Sequence, residues 1–312
     1  MVIRINYVTI VSKYKKIFLL CKAMWNEKLY NALKEPGLKL VLDAGFSCPG
    51  RCTFCDNAAF HPAYSTRAKS ISQQLDEGIA FHAARGRKEG PYLAYFQSYS
   101  NTYAPLERLR EVYGEALAHP AISGIVIGTR PDCVDAEKLD YIASLGCARM
   151  EYGIESCRDE TLLRVRRGHD FACAEKAARE TAARGIPVCG HFILGLPGET
   201  RETLLEDVKR INALPLDSVK FHQLQLLKGT PMAAEYTERP EDFVRWTLDE
   251  YIDLLCDILE RLRPDIAVGR LAASVPPRFL AVPGWGVKAA TFSDLLDRRL
   301  GERQTWQGKI IP

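Results

Sequence analysis

From Leu38 onward, short apolar runs rich in β-branched and aromatic residues alternate with longer stretches whose apolar positions recur every three or four residues. A short apolar run predicts a buried strand and the three-to-four period an amphipathic helix, so the alternation predicts repeated βα units around a parallel sheet. Strands are expected at 38–42, 92–97, 123–128, 148–154, 187–194 and 218–226, with helices between them near 70–85, 106–118, 136–145, 172–183 and 202–214. Asp135 and Thr200 can cap helix N-termini through their side-chain oxygens, and Gly146 and Gly185 can end helices.

Six βα units are fewer than the eight of a closed TIM barrel, so the fold class is α/β, a partial (β/α)6 TIM-like barrel with a C-terminal extension. Residues 242–262 carry Phe243, Trp246, Tyr251, Leu254, Leu255, Ile258 and Leu259 at helical spacing and supply the last helix of the repeat. Beyond Pro264 the period breaks at Pro276-Pro277, Pro283-Gly284 and Gly286 before a final helix near 292–300. The chain therefore divides into an N-terminal extension (1–36), a barrel (37–264) and a C-terminal extension (265–312) that caps the barrel or its mouth.

Composition narrows the function. With 42 Lys and Arg against 39 Asp and Glu, the net charge of +3 offers no strong field for nucleic acid. No apolar run approaches the roughly 20 residues of a membrane span, and the ten cysteines are too dilute for a disulfide scaffold, so a cytoplasmic protein with reduced thiols is expected. Residues 1–23, with Lys13, Lys15, Lys16 and Lys22, read as a basic amphipathic or targeting segment, or as sequence upstream of a start at Met24.

Cys48, Cys52 and Cys55 form a C-x3-C-x2-C triplet just after the first strand, with no fourth cysteine nearby. A closed structural zinc site takes four protein ligands, whereas three thiolates on an iron-sulfur cube leave one iron open. The loops after barrel strands surround the active site of such folds, so position and chemistry agree. The alternative is a zinc site completed by His61 in a non-catalytic RNA-binding module. Glu151 and Glu155 lie an even number of residues apart on one strand and so share a face; two carboxylates inside a barrel need partners, and for Glu151 an arginine such as Arg130, or substrate, is expected.

The triplet, with Phe54 before its last cysteine, resembles the signature of the radical SAM superfamily. The segments from Phe96 to Tyr103, Gly128-Thr-Arg-Pro-Asp132, Glu151 to Ser156, Arg167-Gly-His-Asp170, Leu194 to Glu199, Lys228 to Pro231 and Thr305-Trp-Gln-Gly308 follow in the order that resembles the YhcC-type subgroup. That subgroup is related to the radical SAM part of the Elongator catalytic subunit. The resemblance implies a [4Fe-4S] cluster on Cys48, Cys52 and Cys55 and S-adenosylmethionine (SAM) on its open iron, cleaved to a 5′-deoxyadenosyl radical that takes hydrogen from a substrate, a tRNA base or a small metabolite.

The resemblance also assigns cofactor contacts. Phe54 is placed near the adenine, and Gln97 and Ser98 where relatives have glycines that meet the methionine amino group. Glu155 is placed at the ribose or methionine, Arg167 at the carboxylate and Gly195 at the adenine, where its lack of a Cβ allows close approach. His169 is read as a loop residue. A one-electron reductant of flavodoxin or ferredoxin type is implied as partner, with no membrane.

Overall fold

The computed structural model describes residues 29–35, 37–87 and 90–311; residues 1–23, and most of the expected N-terminal extension, lie outside them. Seven strands form one parallel sheet in sequence order: β1 (Leu38–Leu42), β2 (Tyr92–Phe96), β3 (Ile122–Thr129), β4 (Ala148–Glu155), β5 (Val188–Leu194), β6 (Ser218–Gln223) and β7 (Ala267–Arg270). Sequential parallel pairing with helical crossovers gives the curled half-barrel that the alternation predicted. The seventh strand escaped the sequence reading because its four residues, Ala-Val-Gly-Arg, are too few to show a period.

The helices are α1 (Ile71–Ala83), α2 (Leu106–Ala118), α3 (Ala136–Ser144), α4 (Asp159–Arg164), α5 (Phe171–Ala182), α6 (Arg201–Ala213), α7 (Pro231–Glu238), α8 (Leu248–Arg261) and α9 (Ala289–Glu302). Asp135 accepts the Lys138 amide and Thr200 the Thr203 amide, as their cap positions require. Gly146 and Gly185 take left-handed φ of 66° and 73° just past α3 and α5. The pattern at 242–262 overstates its helix: Thr247 and Glu250 form a capping box that starts α8 at Leu248, leaving Phe243 and Trp246 in the preceding turn.

Strand alternation separates two environments. Tyr92, Ala94 and Phe96 of β2, with Ile125 and Ile127 of β3 and Phe221 of β6, belong to the large core beneath the helices. Leu93, Tyr95 and Val126 form a small separate cluster on the concave side. That inner face also carries Lys39, Glu151, His191, Lys220 and His222, so the half-barrel encloses a polar cavity rather than a second core.

The C-terminal segment serves both ends of the barrel. Leu227 bridges to Leu280, and Gln223 and Gln225 donate to the Ala273 carbonyl at 2.9 and 3.0 Å, bringing the tail to the mouth. At the other end, buried Gln307 donates to the carbonyls of Arg263 and Ile266 at 2.6 and 2.8 Å, and Gly308 donates to Leu259, tying the last motif to the loop that feeds β7. No described helix is long and apolar enough to cross a membrane.

Candidate active site

Residue Asp43, after β1, fixes the start of the cysteine loop. Its backbone amide donates to Oε1 of buried Gln74 on α1 at 2.8 Å, its carbonyl accepts from the same amide side chain at 2.9 Å, and its carboxylate accepts from Gly45. Further along, Thr53 donates to the Val165 carbonyl, its own carbonyl accepts from Met232, and Ser100 donates to Ser47. Four parts of the fold thus hold one loop.

The thiols are poised in different surroundings. Ser100 Oγ donates to Cys48 Sγ at 3.4 Å, and Arg167 Nη1 to Cys52 Sγ at 3.4 Å. Cys55 opens into the cavity yet is ringed by protein; that packing first, then the neighbouring Cys52 and Cys48, pushes its thiol up to about 12. Thiols in one another's field resist ionising together, which a cationic metal centre reverses. The three sulfurs do not all lie within 4.8 Å of one another; among the described residues the group that meets this limit is Glu151, Cys189 and His191. Three thiols on one loop supply three ligands and leave a metal centre bound there with a coordination position open toward the cavity. His61 is engaged elsewhere, with Nε2 bonded to Ser98 Oγ and Nδ1 3.8 Å from the Asp43 carboxylate.

These cysteines rim a cavity of about 670 Å³ that is also lined by Phe54, Gln97, Glu155 and Arg167. Ser98 and Gly195 are not among its lining residues. The Ser98 side chain turns to His61 and its carbonyl accepts from buried Asn101 at 3.1 Å. Gly195, in the turn after β5 at φ 92°, donates to Glu199 Oε2 at 3.2 Å, and a Cβ there would lie 2.9 Å from the Trp246 indole nitrogen; from β5 itself, Ile193 lines the cavity.

The two β4 carboxylates meet the same cavity by different routes. A register shift between Gly153 and Glu155, with φ of 71° at Glu155, interrupts simple alternation. Arg167 then lies 3.5 Å from Glu155 Oε1 and also donates to the Gly153 carbonyl through Nε and Nη2, at 3.2 and 2.5 Å. Burial raises the Glu155 pKa, with Arg167 opposing.

Glu151 does not pair with Arg130. Its Oε1 accepts from Lys39 at 2.8 Å, and its Oε2 accepts from Lys220, Tyr95 and His191 at 2.6, 2.7 and 3.0 Å. Burial alone would raise this carboxyl, but Lys220, His191 and Lys39 hold it well below the usual range. Arg130 instead forms a two-point pair with Asp132, at 2.8 and 2.6 Å, because the following proline turn brings that carboxylate back to it. Its Nη1 is buried with no partner, in the cavity wall and 3.7 Å from the Cβ position of Gly50. A buried donor left open beside the cysteine loop suits an acceptor on a bound ligand.

Sequence reading missed the far end of this cavity, which Tyr95, His191, His222 and Arg270 line. A trace was present: His191 in β5, and Lys220 and His222 in β6, put polar residues at alternate positions of strands that read as apolar.

Comparison with known proteins agrees with this architecture. The family model described as the radical SAM superfamily matches residues 44–211, and one described as the radical SAM C-terminal domain matches 216–302. Over its matched region the chain is 35% identical to the protein YtqA of Bacillus subtilis, covering 88% of this chain and 87% of that protein. It is 34% identical to YhcC of Escherichia coli, covering 85% and 87%. The solved structure of the archaeal Elp3 of Methanocaldococcus infernus superposes with a TM-score of 0.67 at 18% identity, over 86% of this chain and 64% of that one. This chain thus spans less than two thirds of that protein, and the likeness is one of fold.

Proposed function

The chain belongs to the radical SAM superfamily, in its YhcC-type subgroup, and is an enzyme; on that premise we propose that Cys48, Cys52 and Cys55 hold a [4Fe-4S] cluster and that SAM binds between it and the barrel cavity. The carrying observation is the gathering of three thiols on one clamped loop at the rim of a 670 Å³ cavity. When bound and given one electron, cluster and SAM supply a 5′-deoxyadenosyl radical, with methionine as the other product, for hydrogen abstraction from substrate.

The residues of this chain bind and orient. Arg167 holds Cys52 and the Gly153 carbonyl and retains an N–H on Nη1; with the open Nη1 of Arg130 it presents two donors to a carboxylate. Glu155 accepts from the ribose hydroxyls or the methionine amino group, Phe54 packs on the adenine, and Gln97 lines the approach. We assign Ser98 and Gly195 contact through the backbone alone, since both have their surroundings filled on the side-chain side. The enclosing strands exclude water from a species that would otherwise be quenched. A flavodoxin- or ferredoxin-type reductant docks at the cysteine loop, where Arg51 is exposed.

Anaerobic reconstitution of the full chain tests the reading. We expect close to four irons per chain, and a reduced-cluster EPR signal that shifts on addition of SAM, with Arg167→Gln weakening SAM binding about tenfold at unchanged iron content. Zinc in place of iron, or a signal indifferent to SAM, contradicts it.

A further inference from the structure

Among the described residues, the far end of the cavity carries a cation that no carboxylate pairs with. Lys39 and Lys220 both spend their ammonium groups on Glu151, and Lys39 also pairs with Glu35. Arg270 lines the same cavity, and among the described residues no carboxylate lies within ion-pair distance of it. Its inward direction has a structural cause: β6 and β7 pair Val219 with Val268 but Lys220 with Arg270, so a bulge at Gly269 re-aims the arginine.

Two imidazoles flank it. Burial, then Lys220 for His191 and Arg270 itself for His222, lowers both to about 4, so both are neutral near pH 7. His222 Nδ1 lies 3.2 Å from the Gln223 carbonyl, which can only accept, so the proton sits on Nδ1 and Nε2 is left as an acceptor. One end of the cavity thus offers a guanidinium to an anion and an imidazole nitrogen to a hydrogen-bond donor.

We propose that the enzyme's substrate is a small acid bearing a hydroxyl or amino group, with its carboxylate or phosphate bound by Arg270 and its O–H or N–H accepted by His222. This rests on SAM occupying the cysteine side of the cavity. A neutral nucleobase would bring no anion to the half-buried Arg270, whereas an acid does.

Isothermal titration of the cluster-loaded full chain, with and without saturating SAM, tests the site with L-lactate and sn-glycerol 3-phosphate as probes. Binding of at least one is expected, weakened about tenfold or more in Arg270→Gln and within about threefold of wild type in Arg270→Lys. The carboxylate and phosphate arms tell which anion the site takes, and propionate, lacking the hydroxyl, should bind more weakly than lactate. Binding unchanged in Arg270→Gln, or no binding of either acid, overturns the inference, as does uridine binding in their stead. Failure of SAM to bind wild type would instead strike the cofactor reading, because acid binding without SAM is measured separately.

Discussion

Glu151 accepts from two lysines, a tyrosine hydroxyl and an imidazole, and is almost wholly buried. A buried carboxylate with matched donors is far better than one stripped of them, and the same holds for the lysines it serves. Glu151→Gln should therefore destabilise the protein by about 3 kcal/mol by leaving Lys39 and Lys220 without their shared anion. Lys220→Met should be costly alone but cost about 1–3 kcal/mol less in the Glu151→Gln background than in wild type. Strict additivity in denaturant unfolding would show that the network is not coupled. The sequence marked Glu151 as an inward carboxylate in need of a partner but could not name its partners, since the members come from five strands, β1, β2, β4, β5 and β6, and meet only when the sheet curls. The cysteine triplet was legible because all three ligands lie within eight residues of one loop, Cys48 to Cys55.

At the scale of elements, the turn from β5 into α6 depends on one carboxyl. Glu199 accepts from Ser156 Oγ at 2.6 Å and from the Gly195 and Leu196 amides at 3.2 and 3.0 Å. Burial nevertheless raises its pKa from 4.5 to about 7. A carboxyl raised in the fold keeps a proton that the unfolded chain has released, so its contribution to stability is greatest below pH 4.5, falls as pH rises, and levels above about 7. The fall is at most about 3 kcal/mol. Glu199→Gln can keep the amide contacts through Oε1 and should flatten this slope; an unchanged pH profile of urea unfolding would contradict the assignment. Strands and long helices were readable because their periods extend over several residues, as for β1 and α2. The short α4, α7 and β7 were not, and the start of α8 was set by the Thr247 cap rather than by its apolar stripe.

Across the whole molecule, in-order parallel pairing leaves the half-barrel with a cysteine loop at one end of a polar cavity and a Glu151-centred floor at the other. The order of motifs along the chain carried this architecture, because most of the motifs lie at or just after strand ends and the strands pair in sequence. What it could not carry was the distinction between lining and merely neighbouring: Gln97 faces the cavity while Ser98 turns to His61. The central claim is that the loop and cavity together carry out reductive cleavage of SAM. Its most direct test is 5′-deoxyadenosine, measured by mass spectrometry after anaerobic incubation of the reconstituted full chain with SAM and a strong reductant. The account predicts 5′-deoxyadenosine with methionine in equal amounts from wild type, and none from Cys48→Ala, Cys52→Ala or Cys55→Ala. Iron-loaded wild type that binds SAM but yields no 5′-deoxyadenosine, or cysteine variants that still produce it, would contradict the account.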